Sequence, residues 1–128
     1  MHTDRNAALV GRLARYDELV EVGVGARPGV AAALADRGCR VTATDVRPRP
    51  VPEPVRFVRD DVTDPEPAVY GGADAVYALN CPPELQAPLA AAAPDSADCL
   101  FSTLGGDPAV VDAAPETLAD GTLFEVNP

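Results

Sequence analysis

The chain has 128 residues and a mass of 13.2 kDa, with 20 acidic against 10 basic residues and a formal net charge of −10. A protein of this mass buries about two-thirds of the surface of its unfolded chain, enough for one core and one domain but not two. No run of eighteen apolar residues exists and residues 1–10 hold no signal-peptide core, so a membrane span and secretion are not expected and the expected compartment is the cytoplasm.

Leu9, Val10 and Leu13 in residues 3–14 share one helical face, with Thr3 or Asp4 available as cap, so an amphipathic helix opens the chain. Residues 19–22 form a short apolar run before glycines, a buried strand. Gly23, Gly25 and Pro28 then lead into an Ala-rich helix over 30–37, stopped by Gly38. Residues 40–45 are the second strand, completing a βαβ unit. Prolines 48, 50, 52 and 54 forbid a helix in the next connection. An extended segment rising about 3.1 Å per residue covers about 28 Å in nine residues, enough to run back along a strand. Residues 55–59 are therefore read as a third, parallel strand. A short helical turn before Gly71-Gly72 precedes a fourth strand over 73–79. Pro82-Pro83 open a helix to about residue 93, with Pro88 inside it, and residues 97–103 are the fifth strand. Beyond the Gly105-Gly106-Asp107-Pro108 loop, one strand at most is expected, over 122–126. The whole is a single α/β domain with a mostly parallel, three-layer, Rossmann-like sheet: helix 3–15, core 16–107, and a C-terminal strand region 108–128.

In such a sheet, ligands bind outside the carboxyl ends of the strands where the strand order reverses. Strand one ends in Glu21, Gly23, Gly25 and Arg27, strand two in Asp45, strand three in Asp60 and Asp61, and strand four in Asn80 and Cys81. The glycines permit a tight turn and let a ligand approach the backbone at a helix start. Asp45 follows Gly25 by twenty residues, a spacing at which a carboxylate meets a ribose diol. Asp60 or Asp61 is a candidate for the adenine amino group, or a cap for the following turn. Arg27 is a candidate for a ligand carboxylate, or a surface residue.

A dinucleotide loop carries a third glycine where this chain has Pro28, and a pyrophosphate would meet the like charge of Glu21. S-adenosylmethionine, with a sulfonium, an ammonium, a diol and a single carboxylate, suits these acids better; NAD is the alternative. Glu21-Val22-Gly23-Val24-Gly25, Thr44-Asp45 and Arg59-Asp60-Asp61-Val62 resemble the first three motifs of class I S-adenosylmethionine-dependent methyltransferases. More closely, residues 20–25 and 73–85 resemble a small archaeal family, uncharacterised protein family 0146. The resemblance implies a methyltransferase-type fold truncated at its C-terminal end, and brings no established reaction. Asn80-Cys81-Pro82-Pro83-Glu84 is similar to the Asn-Pro-Pro-aromatic motif of amino-methylating enzymes, with Cys81 inserted and Glu84 in the aromatic position. Asn80 and Glu84 are thus the catalytic candidates, and a helix start with Pro at its first position is the competing reading.

All ten basic residues are Arg, and Lys and Ile are absent. A GC-rich genome explains that bias, but the acidic excess points to a halophilic cytoplasm, where salt screens repulsion between carboxylates. No arginine cluster neutralises a phosphate track, so direct nucleic-acid binding is not expected. His2 is the sole histidine, and Cys39, Cys81 and Cys99 are widely spaced, which argues against a metal site and for packed cysteines. The expected partners are a small nucleoside ligand and a second protomer or protein covering a sheet edge. Two functions follow: a minimal methyltransferase, or a nucleoside-sensing or interaction module without catalysis.

Overall fold

The computed structural model describes residues 6–128, and the Thr3 or Asp4 cap lies outside them. The elements run α1(Ala7–Leu13), β1(Glu18–Val22), α2(Gly29–Asp36), β2(Arg40–Asp45), β3(Arg56–Arg59), α3(Pro67–Tyr70), β4(Ala75–Ala78), α4(Pro83–Ala92), β5(Asp98–Phe101), β6(Ala113–Leu118) and β7(Gly121–Val126). They build one seven-stranded sheet in the order β3-β2-β1-β4-β5-β7-β6. Strands β1 to β5 pair in parallel, while β7 runs antiparallel to β5 and β6 antiparallel to β7. The order reverses between β1 and β4, which fixes the crevice at their carboxyl ends.

Period-two alternation sends neighbouring side chains into two separate cores. Leu19, Ala75, Tyr77 and Leu100 pack with Val10 and Leu13 of α1 and with Val30 and Leu34 of α2 on one face. Val20, Val22, Val76, Cys99 and Phe101 pack with Tyr70 and Leu89 on the other. Leu13, Leu19, Leu34, Leu89, Leu100 and Leu123 are fully buried, each stabilising the fold by about 1.5–3 kcal/mol. Phe101 stacks on Phe124 at 5.3 Å between ring centres, which seats β7 beside β5.

The proline-rich connection from β2 to β3 is helix-free and places β3 parallel to β2, with Asp45 opposite Arg59. Val51 and Val55 of that connection pack on the α1–α2 core. In α4, Pro83 occupies the first position, and Pro88 stands inside the helix without an N–H to donate.

The C-terminal region differs from expectation. It holds two strands, a β6–β7 hairpin, where one was expected, and the chain runs from β5 to β6 without a helix. Residues 113–118 hold Pro115, Glu116 and few large apolar side chains, so no strand pattern stands out. An outermost strand tolerates this composition because its outer edge carries no ladder. The hairpin is tied to the start of the chain. Arg12, only 8% exposed, donates through Nε to Glu116 at 3.0 Å and through Nη2 to Glu125 Oε1 at 3.2 Å, and the Leu9 N–H donates to Asp120 Oδ2 at 3.2 Å.

Candidate functional site

Glu21 and Tyr77 are register partners across β1 and β4, so their side chains leave the sheet on the same face. The Tyr77 hydroxyl donates to Glu21 Oε1 at 2.7 Å, and both residues are buried. Desolvation pushes the Glu21 carboxyl up to about 7 despite the Tyr77 hydrogen bond, which acts in the opposite direction. Tyr77 itself, buried beside that carboxylate, is held well above the ordinary phenol range.

Gly23 and Gly25 adopt φ of 71° and 60°, a left-handed conformation that a side chain makes costly. No atom beyond the chain neighbours lies within 4 Å of where a Cβ would stand on either, so the loop borders open space. The Val24 N–H donates to the Thr44 carbonyl at 2.9 Å and holds the loop over the end of β2. There Asp45 accepts from the Gly25 N–H at 2.8 Å on Oδ2 and from the Arg47 N–H at 3.1 Å on Oδ1. Arg49 Nε faces the same Oδ2 at 3.6 Å. Desolvation pushes the Asp45 carboxyl up, but the Arg47 and Gly25 N–H groups and the Arg49 charge together hold it below the ordinary range.

The acids after β3 are engaged within their own segment. Asp60 accepts from the Tyr70 hydroxyl at 2.6 Å and from the Glu66 N–H at 3.0 Å. Asp61 accepts from the Thr63 N–H and hydroxyl, which holds its carboxyl low. Both side chains thus hold their own turn. Neither makes a hydrogen bond to the glycine loop, but the Asp60 N–H donates to the Asp45 carbonyl at 3.1 Å, which sets the ends of β2 and β3 side by side.

A cleft of about 1120 Å³ opens at the carboxyl ends of β1, β4 and β5. Glu21, Gly23, Gly25, Arg27 and Asn80 line it, with Ser102, Thr103 and Asp107 after β5 and Asp112 and Asp120 around the hairpin. Leu9 and Asn6 close it from the α1 side. A second, apolar slot of about 170 Å³ lies between Val22, Val62, Cys81, Leu85 and Leu89, and meets the cleft at Gly23, Leu79 and Asn80. Asn80, with φ of 51°, stands at that junction, and its N–H is held by Ser102 Oγ at 2.9 Å. Non-glycine residues seldom adopt such a φ, and the surrounding contacts must hold it there. Glu84 is exposed in the first turn of α4 and lines neither cavity.

Sequence reasoning missed the cleft wall formed by Asp112, Asp120 and Thr103, whose positions depend on the hairpin. It also missed Gln86, fully buried in α4, which accepts from the Val110 N–H at 2.7 Å and so fastens the segment after β5. The Cys81 and Cys99 thiols are pushed up by burial to about 11 and about 12, which makes them packing groups rather than nucleophiles. No helix among the described residues is long and apolar enough to cross a membrane.

Strand order, glycine loop and the acid at the end of β2 together define a Rossmann-like fold of the kind found in class I methyltransferases. A solved structure bears this out: a Burkholderia thailandensis 1,6-didemethyltoxoflavin-N1-methyltransferase, with 1,6-didemethyltoxoflavin and S-adenosylhomocysteine bound, superposes with a TM-score of 0.55. Identity is 21%, and the match covers 95% of this chain but 59% of that one, so the chain spans little more than half of that enzyme. The chain belongs to the uncharacterised protein family UPF0146, whose family model matches residues 5–127. UPF0146 proteins of two Halobacterium salinarum strains are 62% identical over 88% of each chain. One from Archaeoglobus fulgidus is 47% identical over 70% of each.

Proposed function

We propose that this protein binds S-adenosylmethionine along the carboxyl edge of its sheet and acts as a minimal methyltransferase on a small or partner-presented substrate. The observation that carries the reading is the joined pair of cavities at the strand-order reversal, lined by the glycine loop, whose Gly25 N–H is held by Asp45; Asp45 itself lines neither cavity. The donor set fits the cofactor. Asp45 keeps acceptor sites for ribose hydroxyls beyond those its two N–H partners use. The apolar slot has the size and character for a purine, with Val22, Val62 and Leu85 as walls. Glu21 on the cleft wall suits an ammonium or sulfonium, which would draw its proton off, and Arg27 with the start of α2 suits a carboxylate. When bound, the cofactor supplies an electrophilic methyl group. The chain's own residues then orient a nucleophile: Asn80 and Thr103 offer hydrogen bonds in the cleft, and Leu9 and Leu79 exclude water.

The helix-free run from β5 to β6 favours a second reading, a module that binds the nucleoside and presents it to a partner without catalysis. Calorimetric titration in molar KCl tests the shared core of both; the 62% identical Halobacterium relatives support that medium. S-adenosylmethionine and S-adenosylhomocysteine are expected to bind the wild type and not Asp45→Ala. Preference for NAD, or no binding of any of the three, overturns the assignment. Methyl transfer to any acceptor then separates enzyme from module.

A further inference from the structure

We infer that Arg49 is a resident competitor for the ribose subsite: it stands on the acceptor position of Asp45 that a ribose hydroxyl needs, and ligand entry displaces it. The inference rests on the nucleoside reading above and assigns a residue that neither motif nor family resemblance marks.

A carboxylate offers about four acceptor sites. On Asp45, the Arg47 N–H takes one site of Oδ1 and the Gly25 N–H one of Oδ2. Two remain, the number a vicinal diol uses. Arg49 faces the remaining side of Oδ2, its Nε 3.6 Å away, too far for a hydrogen bond. That Nε is buried and has no hydrogen-bond partner at all. A donor buried in that way is a poorly satisfied occupant, and a hydroxyl at ordinary hydrogen-bond distance is a better one. The position of Arg49 is preset, because Pro48 and Pro50 flank it and each locks its own φ near −65°. Its side chain is 32% exposed, so it can swing into solvent without unpacking a core.

The competition is electrostatic and therefore salt-dependent. The Debye length is about 10 Å at 0.1 M salt and about 3 Å at 1 M, but a part-buried pair at contact distance is screened much less than an exposed one, so concentrated salt loosens the hold of Arg49 on Asp45 only in part.

Adenosine, which carries the diol and no charge, is the probe, with S-adenosylhomocysteine alongside; both are titrated calorimetrically into wild type, Arg49→Gln and Arg49→Lys. In about 0.1 M KCl, Arg49→Gln is expected to bind adenosine about two- to fivefold more tightly than wild type, the range of a partly exposed ion pair. The gap is expected to narrow without closing in about 1 M KCl, and Arg49→Lys is expected to stay close to wild type. Circular dichroism checks the fold of each variant, with Arg49→Met in place of any that does not fold. Equal or weaker binding by Arg49→Gln, or a gap that widens at high salt, overturns the inference while the nucleoside site stands. Failure of every chain to bind either probe overturns the nucleoside reading and this inference with it.

Discussion

Glu21 and Tyr77 meet at the reversal of strand order, the phenol donating to the carboxyl at 2.7 Å inside the protein while the same carboxyl borders the cleft. A protonated acid is the low-cost state there, and it ionises only when a cation or a rise in pH makes charge affordable. Folding is therefore coupled to pH through this residue.

Glu21 should make the fold less stable as pH rises. Below about 4.5 it is protonated whether folded or not, and no difference arises. Between about 4.5 and about 7 the unfolded chain releases the proton that the folded chain keeps, so stability falls with pH and levels off above 7. The full loss is about 3 kcal/mol. Denaturant titration at several pH values in molar KCl should show this fall in wild type, and Glu21→Gln should lack it. Tyr77→Phe removes the one contact that favours the charged form, so the fall should start at the same pH but extend to higher pH and deepen.

Asp45→Ala should cost stability as well as binding. It strands the Gly25 and Arg47 N–H groups, at about 1–3 kcal/mol in total if water reaches them only partly. Because the folded carboxyl is held below its ordinary value, wild type should also lose this contribution as pH falls below about 3.8. Equal midpoints for the two chains at neutral pH would contradict the network.

Gly23→Ala tests backbone conformation alone. With φ of 71° and open space around the added methyl group, the cost comes from the left-handed backbone, about 1–2 kcal/mol. A thermal shift near zero would mean the loop relaxes elsewhere. Nucleoside binding should weaken in parallel, since the loop forms the floor of the site.

Gln86→Leu should loosen the wall of the cleft more than the sheet. The Val110 N–H loses its acceptor, at about 1–3 kcal/mol. Hydrogen exchange should quicken at residues 103–112 and stay unchanged in β1 and β2. Uniform quickening would place Gln86 in the global core instead.

Much of the architecture is legible in local pattern. β2 runs from Arg40 to Asp45 as its alternation and flanking turns predict, and four alternate prolines announce a crossover without a helix. Gly25 and Asp45 meet through a spacing of twenty residues within one βαβ unit, so their contact is short-range in topology. β6 was hidden because its partner, not its own side chains, makes it a strand. The Asp60 carboxylate stands at the end of β3 as read from sequence, but its bond from Tyr70, ten residues on, depends on how α3 packs and was not legible. Asp120 on the cleft depends on tertiary geometry, which no periodicity encodes, whereas Arg49 meets Asp45 only four residues away, in an extended connection that carries no helical spacing to announce the pair.

The bonds from Arg12 to Glu116 and Glu125 join residues 104 and 113 positions apart. In chain order α1 precedes every strand, yet its charged partners lie on the last two strands described, so α1 cannot be fixed by them until β6 and β7 have formed. The sheet from β1 to β5 can assemble from contacts already made, whereas the cleft wall formed by α1 and the hairpin closes last. A chain cut short before residue 116 would keep the glycine loop and lose the wall. The cleft is thus a product of long-range contacts, and a chain without the hairpin would carry the glycine loop beside an open sheet edge.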